Sequence, residues 1–141
     1  MQQIIEFSSN HPYLVGLAII LTMILIANEF RLLSRKGIDV TPSETVALIN
    51  NGAKVVDIRS IERFRSGHIL SALNIALDDL EAKAAKKLAA HKDKFIIVYD
   101  DNGMLGARAS TLLRRMEYKA VNLKGGLTAW KGDNLPLEEG K

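Results

Sequence analysis

The amino-terminal part of the chain contains a long stretch without a charged side chain, between Glu6 and Glu29. Its core, residues 13–27 (YLVGLAIILTMILIA), is almost entirely apolar. These 15 residues are fewer than the roughly 20 that cross a bilayer perpendicular to its plane. Apolar residues on both sides, among them Phe7 and Phe30, can extend the segment to that length. Such a stretch can form a transmembrane helix, the core of a cleaved signal peptide or a helix buried in a larger domain.

The flanking residues favour a single transmembrane anchor over the other two possibilities. A signal peptide needs an early positive charge and a small-residue cleavage motif, whereas the early charge here is Glu6 and residues 25–27 are Leu-Ile-Ala. A buried helix needs a partner domain that covers it on every side. We therefore assign residues 1–33 to an N-terminal transmembrane anchor, residues 34–39 to a short linker and residues 40–141 to a domain close to the membrane.

Basic residues follow the anchor. Arg31, Arg35 and Lys36 lie on its carboxyl side, whereas its amino flank is poor in basic residues. Because basic residues concentrate in cytoplasmic segments, we expect the N-terminus outside and the C-terminal domain in the cytoplasm. The lysine-rich segment at 83–94 is expected to be a solvated face, and contact with anionic lipid headgroups is the alternative.

Composition excludes several kinds of function. The chain has 19 basic and 16 acidic residues, a net charge of +3, and these charges are interspersed along the sequence. This pattern provides no basic stripe, so we expect no nucleic-acid partner. The sequence contains no cysteine. Disulfides, thiolate metal sites, persulfide chemistry and a cysteine nucleophile are therefore excluded.

Beyond the linker, helical and strand-like segments alternate. Thr41-Pro42-Ser43-Glu44 has the pattern of a capping box and begins a short helix that ends at Asn50-Asn51-Gly52. The further predicted elements are a strand at 54–58, a helix at 60–66, an extended segment at 72–77, a helix at 78–90, a strand at 95–99, a helix at 105–116, a strand at 120–123 and a short helical turn that ends at residue 130. Because the strands are short and continuously apolar, they predict an α/β fold whose parallel sheet is covered by helices on both faces.

Two longer motifs occur in this domain. The first, VVDIRSIERFRSGHILSALNI, has a strand ending in Asp-x-Arg, then Glu-x-Phe-x-x-Gly-His-Ile and Asn-Ile. The second, IIVYDDNGMLGARASTLLRRMEYKAVNLKGGLTAW, has a strand, a six-residue loop, a helix with small residues, a strand, Gly-Gly and Trp. In order and spacing, these motifs resemble the two signatures of the rhodanese-like domain family and cover nearly all of residues 38–134. With the anchor included, the chain resembles the small membrane-anchored, single-domain members found in gammaproteobacteria.

The resemblance implies a rhodanese-like fold, with a parallel sheet of about five strands flanked by helices. In active members the first loop residue after the strand of the second motif is a cysteine, whose persulfide is stabilised by the loop N–H groups and the following helix dipole. Here that position is Asp100, and Leu105 replaces a frequent arginine, while Gly103 keeps the usual glycine. A carboxylate cannot form a persulfide, but it can accept those N–H hydrogen bonds itself. We therefore expect a vestigial, non-catalytic active-site loop that consists of Asp100, Asp101, Asn102, Gly103, Met104 and Leu105.

Other polar residues in the motifs are assigned structural roles. Asp57 and Arg59 are expected to form a scaffold beneath the loop, and His68 has no nucleophile to activate as a general base. Asp100 and Asp101 also suggest a cation site or a phosphoryl-acceptor pair. Their adjacent spacing, and the lack of a glutamate at the twelfth position of a calcium loop, argue against both. We expect no catalytic residue, no metal site and no cofactor.

Three functions remain open at this point. We favour a protein-interaction module at the cytoplasmic face of the bacterial inner membrane, with a membrane-protein partner that recognises the loop or the span. The alternative is a sulfurtransferase that moves sulfur from thiosulfate or a persulfide, which the fold permits and the missing cysteine disfavours. An anion sensor at the vestigial pocket is opposed by the negative charge of Asp100. Enzymatic activity is therefore not expected.

Overall fold

The computed structural model describes residues 11–35 and 38–140 of the 141-residue chain. The chain divides into two compact units, Met1–Lys36 and Gly37–Lys141. Among the described residues, the first unit consists of one helix, α1 (Pro12–Arg35).

Helix α1 contains a membrane-compatible segment. Pro12–Phe30, 19 residues with a mean hydropathy of 2.0, is long and apolar enough to cross a membrane. Its apolar side chains are exposed, as in Met23, which has an exposed fraction of 64%. The Thr22 hydroxyl donates to the carbonyl of Ala18 at 2.8 Å, so it is satisfied within the helix, as an apolar environment requires. The residues that the structure describes do not include Glu6, Phe7 and Lys36, on which the prediction of the anchor and its orientation partly rests.

The second unit is built around a parallel sheet. Its elements, in chain order, are β1 (Asp39–Val40), α2 (Pro42–Asn50), β2 (Lys54–Asp57), α3 (Ile61–Arg65), β3 (His68–Ile69), β4 (Leu73–Asn74), α4 (Leu80–Lys87), β5 (Phe95–Tyr99), α5 (Met104–Arg115), β6 (Lys119–Leu123), α6 (Gly126–Gly132) and β7 (Leu137–Glu138). Five strands form one parallel sheet in the order β1-β6-β5-β2-β4. Strands β3 and β7 form a separate antiparallel pair. The predicted α/β fold with a five-stranded parallel sheet is confirmed.

Short-range hydrogen bonds explain where α2 begins and ends. The Thr41 hydroxyl accepts from the backbone N–H of Glu44 at 3.3 Å. The Glu44 carboxylate accepts from the backbone N–H of Thr41 at 2.7 Å, which lowers the pKa of Glu44. This is the predicted capping box. The helix ends before Gly52, whose φ of +88° suits a residue without a side chain.

The sheet has an apolar core on each face because successive side chains of a strand point to opposite sides. Ile96 and Val98 of β5 belong to a cluster that includes residues of α4 and α5. Ile97 and Tyr99 belong to a second cluster, with residues of α2 and α6. A strand buried on both faces reads as a continuous apolar run, which is why β5 was recognisable in the sequence.

Two predicted segments are wrong in detail. The helix predicted at 78–90 is broken into a 3-10 turn at Leu77–Asp79, α4, and a second 3-10 turn at Ala89–His91. The break follows Leu88, which is fully buried at 0% exposure, so the chain leaves the helical path where this side chain enters the core. Of the extended segment at 72–77, only the two residues of β4 pair in the sheet.

The boundaries at the front of the domain also differ from those expected. Ser34 and Arg35 belong to α1, and Asp39 belongs to β1. Strands β1, β3 and β7 were not predicted. Each has two residues, which is too few for an alternating pattern to be visible in a sequence.

The two-sided core generates a stability prediction. Leu113 of α5 is fully buried, whereas Leu70 is 59% exposed. We expect Leu113→Ala to lower the free energy of unfolding by about 2–5 kcal/mol because it leaves a cavity, and Leu70→Ala to change it by less than about 0.5 kcal/mol. Trp130, the only tryptophan and 3% exposed, reports unfolding by fluorescence during denaturant titration of the full chain in detergent micelles. Equal losses in the two variants would contradict this packing.

Candidate functional site

The candidate site lies at the carboxyl edge of the sheet, where the parallel strands end. Strand β5 ends at Tyr99 and continues through residues 100–103 into α5. Met104 and Leu105, predicted as the end of the loop, are the first two residues of this helix. Strand β2 ends at Asp57 beside it, because Asp57 and Tyr99 are register partners. Ligands of open α/β sheets bind at this edge.

The carboxylate of Asp100 is held by the backbone of its own loop. Its Oδ1 accepts from the N–H of Gly103 at 2.7 Å and from that of Gly106 at 3.3 Å. Its Oδ2 accepts from the N–H of Leu105 at 3.2 Å. The residue is 5% exposed. The N–H groups at the start of α5 therefore already have an anionic acceptor, the arrangement that the sequence suggested for this carboxylate.

Two glycine positions let the loop and the start of α6 approach each other. Gly103 and Gly126 have φ values of +85° and +58°. A Cβ added at Gly126 would lie 2.7 Å from the backbone nitrogens of Asn102 and Gly103, and a Cβ at Gly103 would lie 2.8 Å from the nitrogen of Gly125. Side chains at either position would therefore collide with backbone. The Gly-Gly of the second motif thus allows the close contact that shapes the loop.

The second aspartate of the loop faces two arginines. Asp101 Oδ1 accepts from Arg59 Nη1 at 3.2 Å, and its Oδ2 accepts from Arg63 Nη1. Its main-chain carbonyl accepts from the backbone N–H of Thr128 at 3.0 Å and from the Thr128 hydroxyl at 2.8 Å. Asp101 therefore fastens the loop to α3 and α6, and it neutralises cations that could otherwise attract an anionic ligand.

Beneath the loop lies a buried ion pair. Arg59 donates from Nη2 to Asp57 Oδ2 at 2.6 Å and from Nε to Oδ1 at 3.0 Å. Its Nη2 also donates to the carbonyl of Gly67 at 2.7 Å. Burial opposes the charge of Arg59, but the hydrogen bonds and negative charge of Asp57 outweigh it, so the pKa of Arg59 lies above its ordinary value. Both residues lie at the site, in the scaffold position predicted for them.

Tyr99 extends this network towards β3. Its hydroxyl accepts from the backbone N–H of Ile69 at 3.1 Å, and the Arg59 guanidinium lies 5.7 Å from the centre of its ring. Burial, and then the nearby charge of Asp57, raise the pKa of Tyr99 above its ordinary value. The phenol is therefore neutral at physiological pH and is held as a structural contact.

His68 does not line the pocket described below, and its contacts are with α3 and β7. Its Nδ1 lies 2.8 Å from the carbonyl of Phe64, and its ring stacks on the Phe64 ring with centroids 3.7 Å apart. Its Nε2 lies 3.7 Å from a carboxylate oxygen of Glu138 in β7. These contacts join α3 to the β3–β7 pair and fit the structural role expected for this histidine.

Two residues at the site were missed by the sequence analysis. Arg63 lies at the site because α3 begins just after β2 ends, and this could have been inferred from their order in the chain. Asn122 is buried at 2% exposure in β6, and its Nδ2 donates to Gly103 O at 3.1 Å and to Asp39 Oδ1 at 2.8 Å. A polar residue in the otherwise apolar run AVNL was the only signal.

An open depression of about 430 Å³, the carboxyl-edge pocket, is lined by Ile58, Arg59, Ser60, Arg63, Asp100, Asp101, Asn102, Met104 and Leu105. Its charged groups are Arg59, Arg63, Asp100 and Asp101, with Asp57 beneath Arg59. The lining has two carboxylates and two guanidinium groups, and a third carboxylate lies beneath Arg59. This balance of charges disfavours an anionic ligand. Met104 and Leu105 line it with exposed fractions of 69% and 49%, so its rim is apolar. Among the described residues, no cluster of three His, Cys, Asp or Glu could hold a metal ion.

Comparison with known proteins identifies the family of this domain. The sequence profile of the Rhodanese-like domain matches residues 41–133. The chain belongs to the rhodanese-like domain family. The match includes the segment that begins at Asp100, and the sequence contains no cysteine.

Relatives share the whole length of the chain. The Escherichia coli K12 protein YibN is 36% identical over 143 residues, covering 100% of both chains. The Buchnera aphidicola protein BU052, from the strain of Acyrthosiphon pisum, is 32% identical over 97% of this chain and 96% of its own. The BH2092 protein of Bacillus halodurans matches in structure with a TM-score of 0.67 over 80% of this chain and 85% of its own, at 21% identity. The last similarity supports the fold alone.

The buried pair beneath the loop generates a prediction. We expect Arg59→Met to lower the free energy of unfolding by about 3–5 kcal/mol, because it leaves the buried carboxylate of Asp57 without its partner. Arg63→Met removes an exposed partner of Asp101, with 66% of the Arg63 side chain exposed, and should cost less than about 1 kcal/mol. Denaturant titration followed by Trp130 fluorescence compares the two. A similar small loss in both would show that the buried pair does not hold the loop scaffold.

Proposed function

We propose that this chain is a membrane-anchored, catalytically inactive rhodanese-like domain that acts as a protein-interaction module. In this proposal α1 crosses the bacterial inner membrane once, with the N-terminus outside and the domain at the cytoplasmic face. The apolar segment Pro12–Phe30 supports the span, and the basic residues that follow it in the sequence support the orientation. The partner is a membrane protein that contacts the carboxyl-edge pocket.

The state of Asp100 is the observation that carries the proposal. Sulfur transfer in this fold needs a thiol whose persulfide anion is held by the loop N–H groups. Here a carboxylate accepts from the N–H groups of Gly103, Leu105 and Gly106, and the sequence has no cysteine. The chain therefore has no cysteine sulfur to carry the persulfide, and the loop N–H groups that would hold the persulfide are already bound to Asp100. This argues against the alternative, a thiosulfate or persulfide sulfurtransferase.

The rim of the pocket supports recognition of a protein. Met104 and Leu105 expose apolar surface beside the guanidinium groups of Arg59 and Arg63. Methionine adapts to different contact surfaces because it is unbranched and polarizable. An apolar side chain of a partner, flanked by a hydrogen-bond acceptor that faces the exposed Arg63, would match this rim better than a small anion. The hydrogen bonds between the loop N–H groups and Asp100 keep the rim rigid, and this lowers the entropic cost of binding a partner.

Inactivity predicts a specific outcome in a sulfur-transfer assay. We expect the unmodified chain to show no thiosulfate-to-cyanide transfer above an Asp100→Ser variant, since neither has a thiol. Asp100→Cys restores the thiol within reach of the same N–H groups and should give turnover above both. Production of thiocyanate measures the reaction. Transfer by the unmodified chain above the serine variant would overturn the proposal and favour an enzyme.

The interaction role is tested by crosslinking capture of the intact protein from native membranes. The chain is compared with a Met104→Ser/Leu105→Ser variant, a Leu70→Ser control at another exposed apolar position, and a version with a generic span. We expect one specific membrane protein to be captured by the unmodified chain, the Leu70 control and the generic-span version, and to be lost from the rim variant. Loss with the generic span alone would instead assign recognition to α1.

A further inference from the structure

The amino edge of the sheet, where the parallel strands begin, differs in charge from the carboxyl-edge pocket. The loops and helix end at this edge carry basic side chains together with a partly exposed aromatic ring. We call these residues the amino-edge surface: Lys54, Lys92, Lys94, Phe95, Arg114 and Lys119. Asp93 and Glu117 are the acidic residues in the segments between them, so five basic groups stand against two acidic ones.

Cross-contacts join these segments into one surface. The Lys92 ammonium lies 5.6 Å from the centre of the Tyr118 ring, and Lys119 Nζ donates to the carbonyl of Asp93 at 3.3 Å. Phe95 is the register partner of Lys119 and is 43% exposed at the first position of β5. A large aromatic ring on a basic surface is the combination that anchors proteins at the headgroup region of a bilayer.

Strand β1 lies beside the carboxyl half of β6. Strand β1 runs parallel to β6, with Asp39 opposite Asn122. The preceding residue, Ile38, accepts from the N–H of Asn122 at 2.6 Å. Going backwards along β1 therefore leads towards the amino edge, where β6 begins at Lys119. The amino-edge surface and the carboxyl-edge pocket therefore lie at opposite ends of the parallel strands.

We propose that the amino-edge surface docks on anionic phospholipid headgroups of the bilayer that α1 spans, which leaves the carboxyl-edge pocket facing away from the membrane. The proposal rests on the membrane anchor of the proposed function and adds the orientation of the domain. Basic side chains near an anionic leaflet gain favourable energy from its surface potential. The acidic groups of the pocket would be repelled by the same potential, so both ends of the sheet favour one orientation.

The cysteine-free chain permits a direct test by site-directed spin labelling. The full chain is placed in nanodiscs of phosphatidylcholine, with or without phosphatidylglycerol, that contain a trace of nickel-chelating lipid. Single labels are introduced by Ala90→Cys near the amino edge, Met104→Cys at the pocket rim and Ile19→Cys in the span. We expect the lipid-bound nickel to broaden the Ala90 label several-fold more than the Met104 label in the anionic nanodiscs. This difference should fall sharply without phosphatidylglycerol or at high salt, because salt screens the attraction.

Charge-reversed variants supply the matched control. Lys92→Glu/Lys94→Glu/Lys119→Glu should abolish the difference between the labels, whereas Lys83→Glu/Lys124→Glu/Lys131→Glu, which changes net charge equally at exposed lysines elsewhere, should retain it. Equal broadening at Ala90 and Met104, or loss of the difference in both triple variants, would overturn the docking.

Oxygen accessibility of the Ile19 label separates the two proposals. An inserted Ile19 label without lipid contact at Ala90 overturns only the docking, and an Ile19 label outside the hydrocarbon overturns the anchor as well.

Discussion

The buried guanidinium of Arg59 joins three parts of the domain that the sheet ladder alone does not hold together. It contacts Asp57 at the end of β2, the carbonyl of Gly67 before β3, and Asp101 in the loop after β5. A buried arginine is tolerated only when its donors are satisfied, and these acceptors come from separate segments. Arg59 is therefore the buried contact that joins the loop to β2 and to the segment before β3, while Arg63 and Thr128 hold the loop from α3 and α6.

The loop after β5 in this rhodanese-like domain holds a carboxylate among its backbone N–H groups. The N–H groups that would face an anionic ligand face Asp100, and the arginines that would attract one face Asp101. The carboxylate satisfies donors that would otherwise be left without an acceptor, so the loop is stable without substrate. The exposed apolar feature beside these paired charges is the rim of Met104 and Leu105.

Much of the fold could be predicted from the sequence, because buried parallel strands such as β5 are apolar runs and the Thr41 capping box is a local pattern. The replacement at Asp100 was also visible, since the motif fixes its place in the loop. Arg63 and Asn122 were missed because their roles depend on which segments meet in three dimensions. The two-residue strands were missed because pairing with a distant partner, as between β3 and β7, leaves no periodic signal.

The Asp100 carboxylate occupies the anion-binding position that the loop N–H groups form. Titration of thiosulfate into the isotope-labelled full chain in detergent micelles tests it most directly, with the amide resonances of Gly103, Leu105 and Gly106 as the readout. We expect no saturable shift at these amides in the unmodified chain, and saturable shifts at the same amides in an Asp100→Gly variant, whose N–H groups are released. Saturable thiosulfate shifts at these three amides in the unmodified chain would contradict it.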